Sequence, residues 1–267
     1  MLADSHIHLF EKGYKNSGVN EVLLYESLIK DFSINSALVV GYEGESWAVG
    51  NNAYIASLAA DAPWLHPLAF VRSETLCVID LENMLLSGFE GISLYLFSSE
   101  DITHLLLADD EVWQWLVDHG WIVSVNSKNS YWEVWLQILN RFPKLIVLIS
   151  HLSLPTVTSG FMSTANLNIQ FSTIAKLCLF ENVYLKLSGL YALEPTKPTY
   201  PYPTLDLYLE YITRNFEVER LIWGSDFSPA LSSVTFAQTF QHFYDLSFFS
   251  SQHLTKILSQ NLLTLLR

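Results

Sequence analysis

The sequence is short of cysteine and of basic residues, and it has no long hydrophobic run. Each shortage excludes something. Cys77 and Cys178 are the only cysteines, each alone in an apolar stretch. Two isolated thiols make neither a disulfide framework nor a zinc ribbon, so buried thiols in a reducing compartment are expected. Lys and Arg number 14 against 27 Asp and Glu, a net charge of −13. Neutralising phosphates takes Lys and Arg, so neither nucleic acid nor an anionic membrane is an expected partner. A local pocket can still oppose that global field and take an anionic small molecule. No stretch approaches the ~18 consecutive apolar residues of a membrane-spanning helix. The opening residues, Met1 to His6, lack the positive segment and apolar stretch of a secretory signal, so a cytoplasmic location is expected. There is no Gly/Ser linker, like-charge block or short-period repeat to divide the chain.

What is present is apolar. Half of the 267 residues are hydrophobic and 14% are aromatic, which supplies a large core and excludes disorder as the main state. Eight short apolar runs read as strands, at 2–9, 36–42, 65–71, 88–96, 121–126, 145–152, 183–188 and 221–226. They are near-continuous rather than alternating, as expected of strands buried on both faces. Stretches of helical period lie between or after them, at 21–31, 51–60, 110–119, 131–141, 204–216, 235–245 and 251–266. Eight strands alternating with helices over one uninterrupted chain predict an α/β fold, a (β/α)8 TIM barrel forming a single domain over 1–267. The competing open doubly wound sheet usually carries a Gly-rich turn after its first strand, and none is present.

A barrel of this kind places its reactive residues at the C-terminal ends of the strands. Strand one ends in Asp4-Ser5-His6-Ile7-His8, strand six in His151, strand seven in Lys186 and Ser188, and strand eight in Asp226. Residues two apart on a strand share a side, so His6 and His8 both point into the barrel mouth, able to share a metal or a substrate oxygen. Strands one and eight are neighbours in a closed barrel, which brings Asp226 to that pair. A buried carboxylate costs several kcal/mol unless paired or metal-bound, and beside histidines Asp226 reads as a general base. His151, after an apolar run, is either a hydrogen-bonded structural residue or a member of the same cluster. Lys186 alternates with Tyr184 and Ser188; inward it binds a substrate carboxylate or phosphate, outward it is a solvated lysine. Tyr42 and His66 are candidates for the mouth or for packing, and Glu90 and Ser93 lie on a strand of undetermined parity.

Five segments occur in an order that carries a family resemblance. They are "DSHIHLF" at 4–10, "GFEGISL" at 88–94, "ISHLSLP" at 149–155, "NVYLKLSGLY" at 182–191 and "RLIWGSDFSPA" at 220–230. The chain resembles the amidohydrolase superfamily, and within it the amidohydrolase-related branch that holds 2-pyrone-4,6-dicarboxylate lactonase and the sugar-acid lactonases. The terminal "ILSQNLLTLLR" is similar to that branch's closing Asn-containing helix. The resemblance implies a (β/α)8 barrel and hydrolysis, with His6, His8, His151 and Asp226 as the core site and Lys186 near the usual strand-seven cation.

Two departures shape what the resemblance implies about metal. Strand five ends "SVNS", so Ser124, Asn126 or Ser127 stands where metal-dependent members carry a histidine. Ser93 stands on strand four, where many lactonases have a cationic or bridging residue. A binuclear centre is therefore not expected. One divalent ion such as zinc can still use His6, His8 and Asp226, since three N/O ligands plus water make an open catalytic site. The branch also contains members that work without metal. Lys186 and Arg72 are the few cations near strand ends, so a lactone with less charge than a dicarboxylate is the expected small-molecule substrate. The expected mechanism has Asp226 activating water, the histidines stabilising the oxyanion and Lys186 with Ser188 binding substrate. Two alternatives are a metal-dependent non-oxidative decarboxylase and a degenerate barrel that binds a ligand without turning it over. No feature of the sequence sets an oligomeric state.

Overall fold

Each of the eight apolar runs becomes a strand of one parallel sheet in the computed structural model, which describes residues 1–158, 162–194 and 200–267. The strands are β1 (Leu2–Ile7), β2 (Ile34–Val40), β3 (Leu65–Phe70), β4 (Gly91–Leu96), β5 (Ile122–Ser127), β6 (Ile146–Ile149), β7 (Val183–Leu187) and β8 (Leu221–Trp223). They lie in chain order, parallel throughout, with Leu38 opposite His66 and Val123 opposite Val147. The ring closes through a parallel bridge between Ile7 and Phe227. Asp226 N–H donates to His6 O at 2.9 Å there, and His8 N–H donates to Phe227 O. This is the expected (β/α)8 barrel.

Alternation along the strands explains why the apolar runs are continuous. Ala37, Val39, Val147 and Ile149 belong to the large cluster that the helices share. Leu38, Val40 and Leu148 belong to a separate set with Ala3, Leu68, Ile122, Ile222 and Leu262, enclosed by the strands. Both sides of each strand are thus buried, and burial of apolar area on both is the main driving force for closure. Leu262 comes from the last helical segment, which runs Ser251–Thr255, a π turn at Lys256–Gln260, and Asn261–Leu265. Asn261 anchors it by donating to Val218 O and Leu221 O, both at 2.7 Å. Among the described residues no helix is long and apolar enough to cross a membrane.

The sixth and eighth strands stop well short of their expected ends, and the reason bears on the site. The sixth stops at Ile149 because His151, Leu152, Ser153 and Leu154 take left-handed φ values of 51°, 53°, 69° and 51°. The eighth stops at Trp223, and Asp226 has φ 59°. Both site residues therefore sit on turns just past their strands. Helices at Val78–Leu86 and Ser99–Leu107 follow β3 and β4, where no helical period was read. The second has a capping box, Ser98 with Asp101, which was legible in "SSED". Burial of Cys178 matches expectation and pushes its thiol up to about 12. Cys77 differs: it is only half-buried, at the start of the helix Val78–Leu86.

Candidate active site

Because β1 is extended, His6 and His8 project the same way, and their Nε2 atoms lie 3.2 Å apart. Asp226 Oδ1 lies 3.7 Å from each of those nitrogens. The other carboxylate oxygen, Oδ2, accepts a hydrogen bond from Tyr191 Oη at 2.7 Å. One oxygen is thereby held and the other is left facing the imidazoles. All four side chains are buried or half-buried, and His8 and Asp226 line a cavity of about 330 Å³.

The tautomers follow from the partners. His8 Nδ1 lies 2.6 Å from Val40 O, an acceptor only, so Nδ1 carries the proton and Nε2 offers a lone pair. Ser188 Oγ accepts from the His151 main-chain N–H at 3.2 Å and lies 3.0 Å from His151 Nδ1. Its hydroxyl proton is then free to go to Nδ1, which leaves the ring proton on Nε2, toward the cavity that His151 lines. A glycine makes this approach feasible: a Cβ on Gly189, whose φ is +66°, would stand 2.5 Å from His151 Nδ1. His6 and His151 pack ring to ring, centroids 4.6 Å apart.

Burial sets the charge states. It pushes Asp226 up to about 7, helped by the nearby Asp4 charge and opposed by the Tyr191 hydrogen bond and by Lys186. It lowers His8 to about 4 and His151 to about 3, and His6 well below the usual range, with Lys186 adding to each. Lys186 itself falls to about 7. Near neutral pH the site therefore holds neutral imidazoles beside a carboxyl group poised to exchange a proton.

Lys186 is fully buried, with Nζ 2.8 Å from Ser124 Oγ and 3.3 Å from His6 Nδ1. Neither it nor Ser188 lines the cavity; each contacts a histidine that belongs to the site. Of the other sequence candidates, Tyr42 and Asn126 line the cavity, and Asn126 Oδ1 has no hydrogen-bond partner. Ser93 is turned to Gly41 O at 2.6 Å and Ser127 to Leu96 O at 2.8 Å. His66 pairs with Glu90 at 2.7 Å and neither lines the cavity. Arg72 also lies outside that lining, over the Phe70 ring at 5.6 Å.

Three supporting groups escaped the sequence reading. Asp4 is fully buried and accepts from His6 N–H at 3.2 Å, Ser225 N–H at 2.8 Å and Tyr25 Oη at 3.1 Å. Its position in "DSHIH" was visible, but its partner 221 positions further along the chain was not. Tyr191 lies three residues beyond Ser188 in the four-residue helix Leu190–Leu193, too short for any periodicity to point to it. Glu21, buried at the start of the helix Glu21–Phe32, accepts from Phe10 N–H and Tyr14 N–H, both at 2.7 Å, and so fixes the loop after β1.

The donor set fits a metal ion. One atom each from His6, His8 and Asp226 lie within 4.8 Å of one another. Two imidazole nitrogens and a carboxylate oxygen are what a divalent ion of the zinc type takes, with a position left open. His8 already holds its proton on the nitrogen that faces away.

The profile of the amidohydrolase family matches residues 3–267. The chain belongs to that family. It is an enzyme of the amidohydrolase superfamily, a hydrolase by class. A search of curated proteins finds no match. Among solved structures this amidohydrolase is similar to a protein of Acinetobacter baumannii described as a 2-pyrone-4,6-dicarboxylic acid hydrolase, with citric acid bound. The identity is 20%, the TM-score 0.77, and the match covers 99% of this chain and 98% of the other. A Pseudomonas putida protein of the same description is 22% identical, TM-score 0.76, over 99% and 96% of the chains. A Burkholderia multivorans amidohydrolase with bound zinc is 13% identical, TM-score 0.78, over 99% and 98%. At these identities the likeness concerns the fold.

Proposed function

We propose that this amidohydrolase hydrolyses a cyclic ester, a lactone of small size, with Asp226 as general base. The observation that carries the reading is the split carboxylate. Tyr191 holds Oδ2, while Oδ1 faces two neutral imidazoles, of which His8 lines the cavity. A carboxyl group raised to about 7 by burial takes a proton efficiently near neutral pH. Water attacks the acyl carbon and its proton goes to Asp226. The carbonyl oxygen becomes an oxyanion, which the Nε2–H of His151 meets. The acyl–oxygen bond then breaks, Asp226 returns the proton to the leaving alkoxide, and a hydroxy acid results.

Lys186 positions His6 and Ser188 positions His151, so both act through a histidine. His6, His8 and Asp226 are the residues that would hold one divalent ion such as zinc. When bound, such an ion supplies Lewis acidity and lowers the pKa of water. The similar fold of a zinc-bound relative supports the capacity of this scaffold for one. The cavity volume suits a small molecule, and a cytoplasmic setting fits the two free thiols.

The test is a panel of lactones and cyclic esters, assayed with chelator-treated and with zinc-loaded protein. Hydroxy-acid formation is the expected result. Melting shifts without product would make the barrel a binder instead. Release of carbon dioxide from an aromatic or unsaturated carboxylic acid, strictly dependent on the ion, would make it a decarboxylase. Zinc is expected to raise the melting temperature of the wild type and not of His6→Ala.

A further inference from the structure

The catalytic groups occupy one side of the cavity. The other side is a wall of rings: Phe10, Tyr14, Tyr42, Trp47, Tyr95 and Phe97. The wall begins at the reacting centre, because Phe10 stacks on His8 with centroids 5.9 Å apart and planes 14° apart. Trp47 meets Phe10 at 4.8 Å and Tyr14 at 5.4 Å, both edge-on, and Tyr42 meets Tyr95 at 4.9 Å. Rings that brace one another by their edges stay in place and leave faces for a guest.

Charge on the same lining is scarce. Apart from the reacting groups His8, His151 and Asp226, it holds Lys15 and Glu45, both exposed and of opposite sign. Lys15 Nζ is already over the Tyr14 ring, 5.0 Å from its centroid. The two other cations near strand ends are engaged elsewhere. Lys186 is buried between Ser124 and His6, and Arg72 lies over Phe70 and donates to Glu43 O at 3.4 Å. Holding two carboxylates takes paired cations, preferably bidentate arginines. This lining has no arginine.

We infer that the cavity selects a flat, aryl-fused or unsaturated lactone carrying at most one negative charge, whose ring lies on the Phe10–Trp47 wall while its ester faces Asp226. This rests on the hydrolase reading above for the ester. The ring preference rests on the wall alone. Stacking on fixed aromatic faces adds to area burial, and a gain of about tenfold in binding is the expected scale. A dicarboxylate meets no matching cations and loses that advantage.

The experiment compares 3,4-dihydrocoumarin, δ-valerolactone and 2-pyrone-4,6-dicarboxylate as substrates. The expected kcat/KM for dihydrocoumarin is at least tenfold above either of the others. Trp47→Ala is expected to lower that value at least five times more than it lowers the value for δ-valerolactone, chiefly through KM. Trp47→Phe restores most of the loss. The inference is overturned if the dicarboxylate or δ-valerolactone is preferred, or if Trp47→Ala depresses all substrates alike. Melting shifts of Asp226→Asn with the same compounds separate this inference from the hydrolase reading. If no compound is hydrolysed and only dihydrocoumarin raises the melting temperature, the hydrolase reading falls and the aromatic selectivity stands. If hydrolysis occurs without ring preference, the reverse holds.

Discussion

The two sides of the barrel mouth are built from different materials. One side is a buried network of ionisable groups on the strands and the turns that directly follow them: His6, His8, His151, Lys186, Tyr191 and Asp226. The other is a set of rings on the loops after β1 and β2 and at the end of β4. The first side is held by side-chain contacts between groups that each have a reason to be fixed, such as Lys186 to His6 and Ser188 to His151. The second is held from behind, through its backbone. Glu21 accepts from Phe10 and Tyr14, and Asn51 accepts from Tyr42 N–H at 3.0 Å and donates to Leu9 O at 2.7 Å. Reaction geometry tolerates little displacement, so it is placed on rigid elements, whereas shape selection can be carried by loops.

That division can be broken most sharply at Asp226. Asp226→Asn removes the proposed base and is expected to lower kcat by about 10²–10⁴-fold. Circular dichroism and the melting temperature should stay close to wild type. A variant that kept full turnover would dissolve the distinction between a reacting side and a selecting side. Next in size is Asp4→Ala, which orphans the Ser225 and His6 amides and the Tyr25 hydroxyl. Urea denaturation should show a loss of roughly 3 kcal/mol, since buried donors without partners are costly. Activity should fall with it, because the same amides belong to neighbours of Asp226 and to His6 itself.

Proton linkage offers a smaller effect on the reacting side. Lys186 has a folded value of about 7, lowered by burial, against an ordinary ~10.4. Between those values the unfolded chain binds more protons, so this contribution to stability is full above the unfolded value and is lost as pH falls toward 7. Chelator-treated protein should become more resistant to urea from pH 7 to about 8.5, and Lys186→Met should flatten the slope. On the selecting side, Glu21→Ala should raise KM severalfold with kcat little changed, as Phe10 and Tyr14 lose their anchor. The least effect is expected at the rim. Phe97 is 41% exposed, and Phe97→Ser should shift stability by less than about 0.5 kcal/mol in the same urea assay.

The sequence made the reacting side far easier to read than the selecting side, for physical reasons. Strands buried on both faces leave continuous apolar runs, and polar residues at their ends stand out against them. His6, His8, His151 and Asp226 were legible for that reason. Lys186 shows where the rule stops. Alternation puts it inside the barrel, but depth along the strand decides whether an inward side chain reaches the cavity, and Lys186 lies beneath His6. Tyr191 sits in the four-residue helix Leu190–Leu193, and Phe10, Tyr14 and Trp47 sit on loops whose course depends on buried contacts with Glu21 and Asn51. No local pattern encodes those contacts. The helices Val78–Leu86 and Ser99–Leu107 carry apolar residues at helical spacing, and Ser98 with Asp101 marks the start of the second, so both were legible in principle.

The hydrogen bond from Ser225 N–H to Asp4 spans 221 positions of the chain. Both histidines are synthesised long before the acid they face. Until then the early imidazoles have neighbours on one side alone. Contacts so distant along the chain are formed late and slowly, so His6, His8 and Asp226 come together only once β8 has been made. A premature stop between positions 8 and 226 releases a chain that has both imidazoles and lacks the acid.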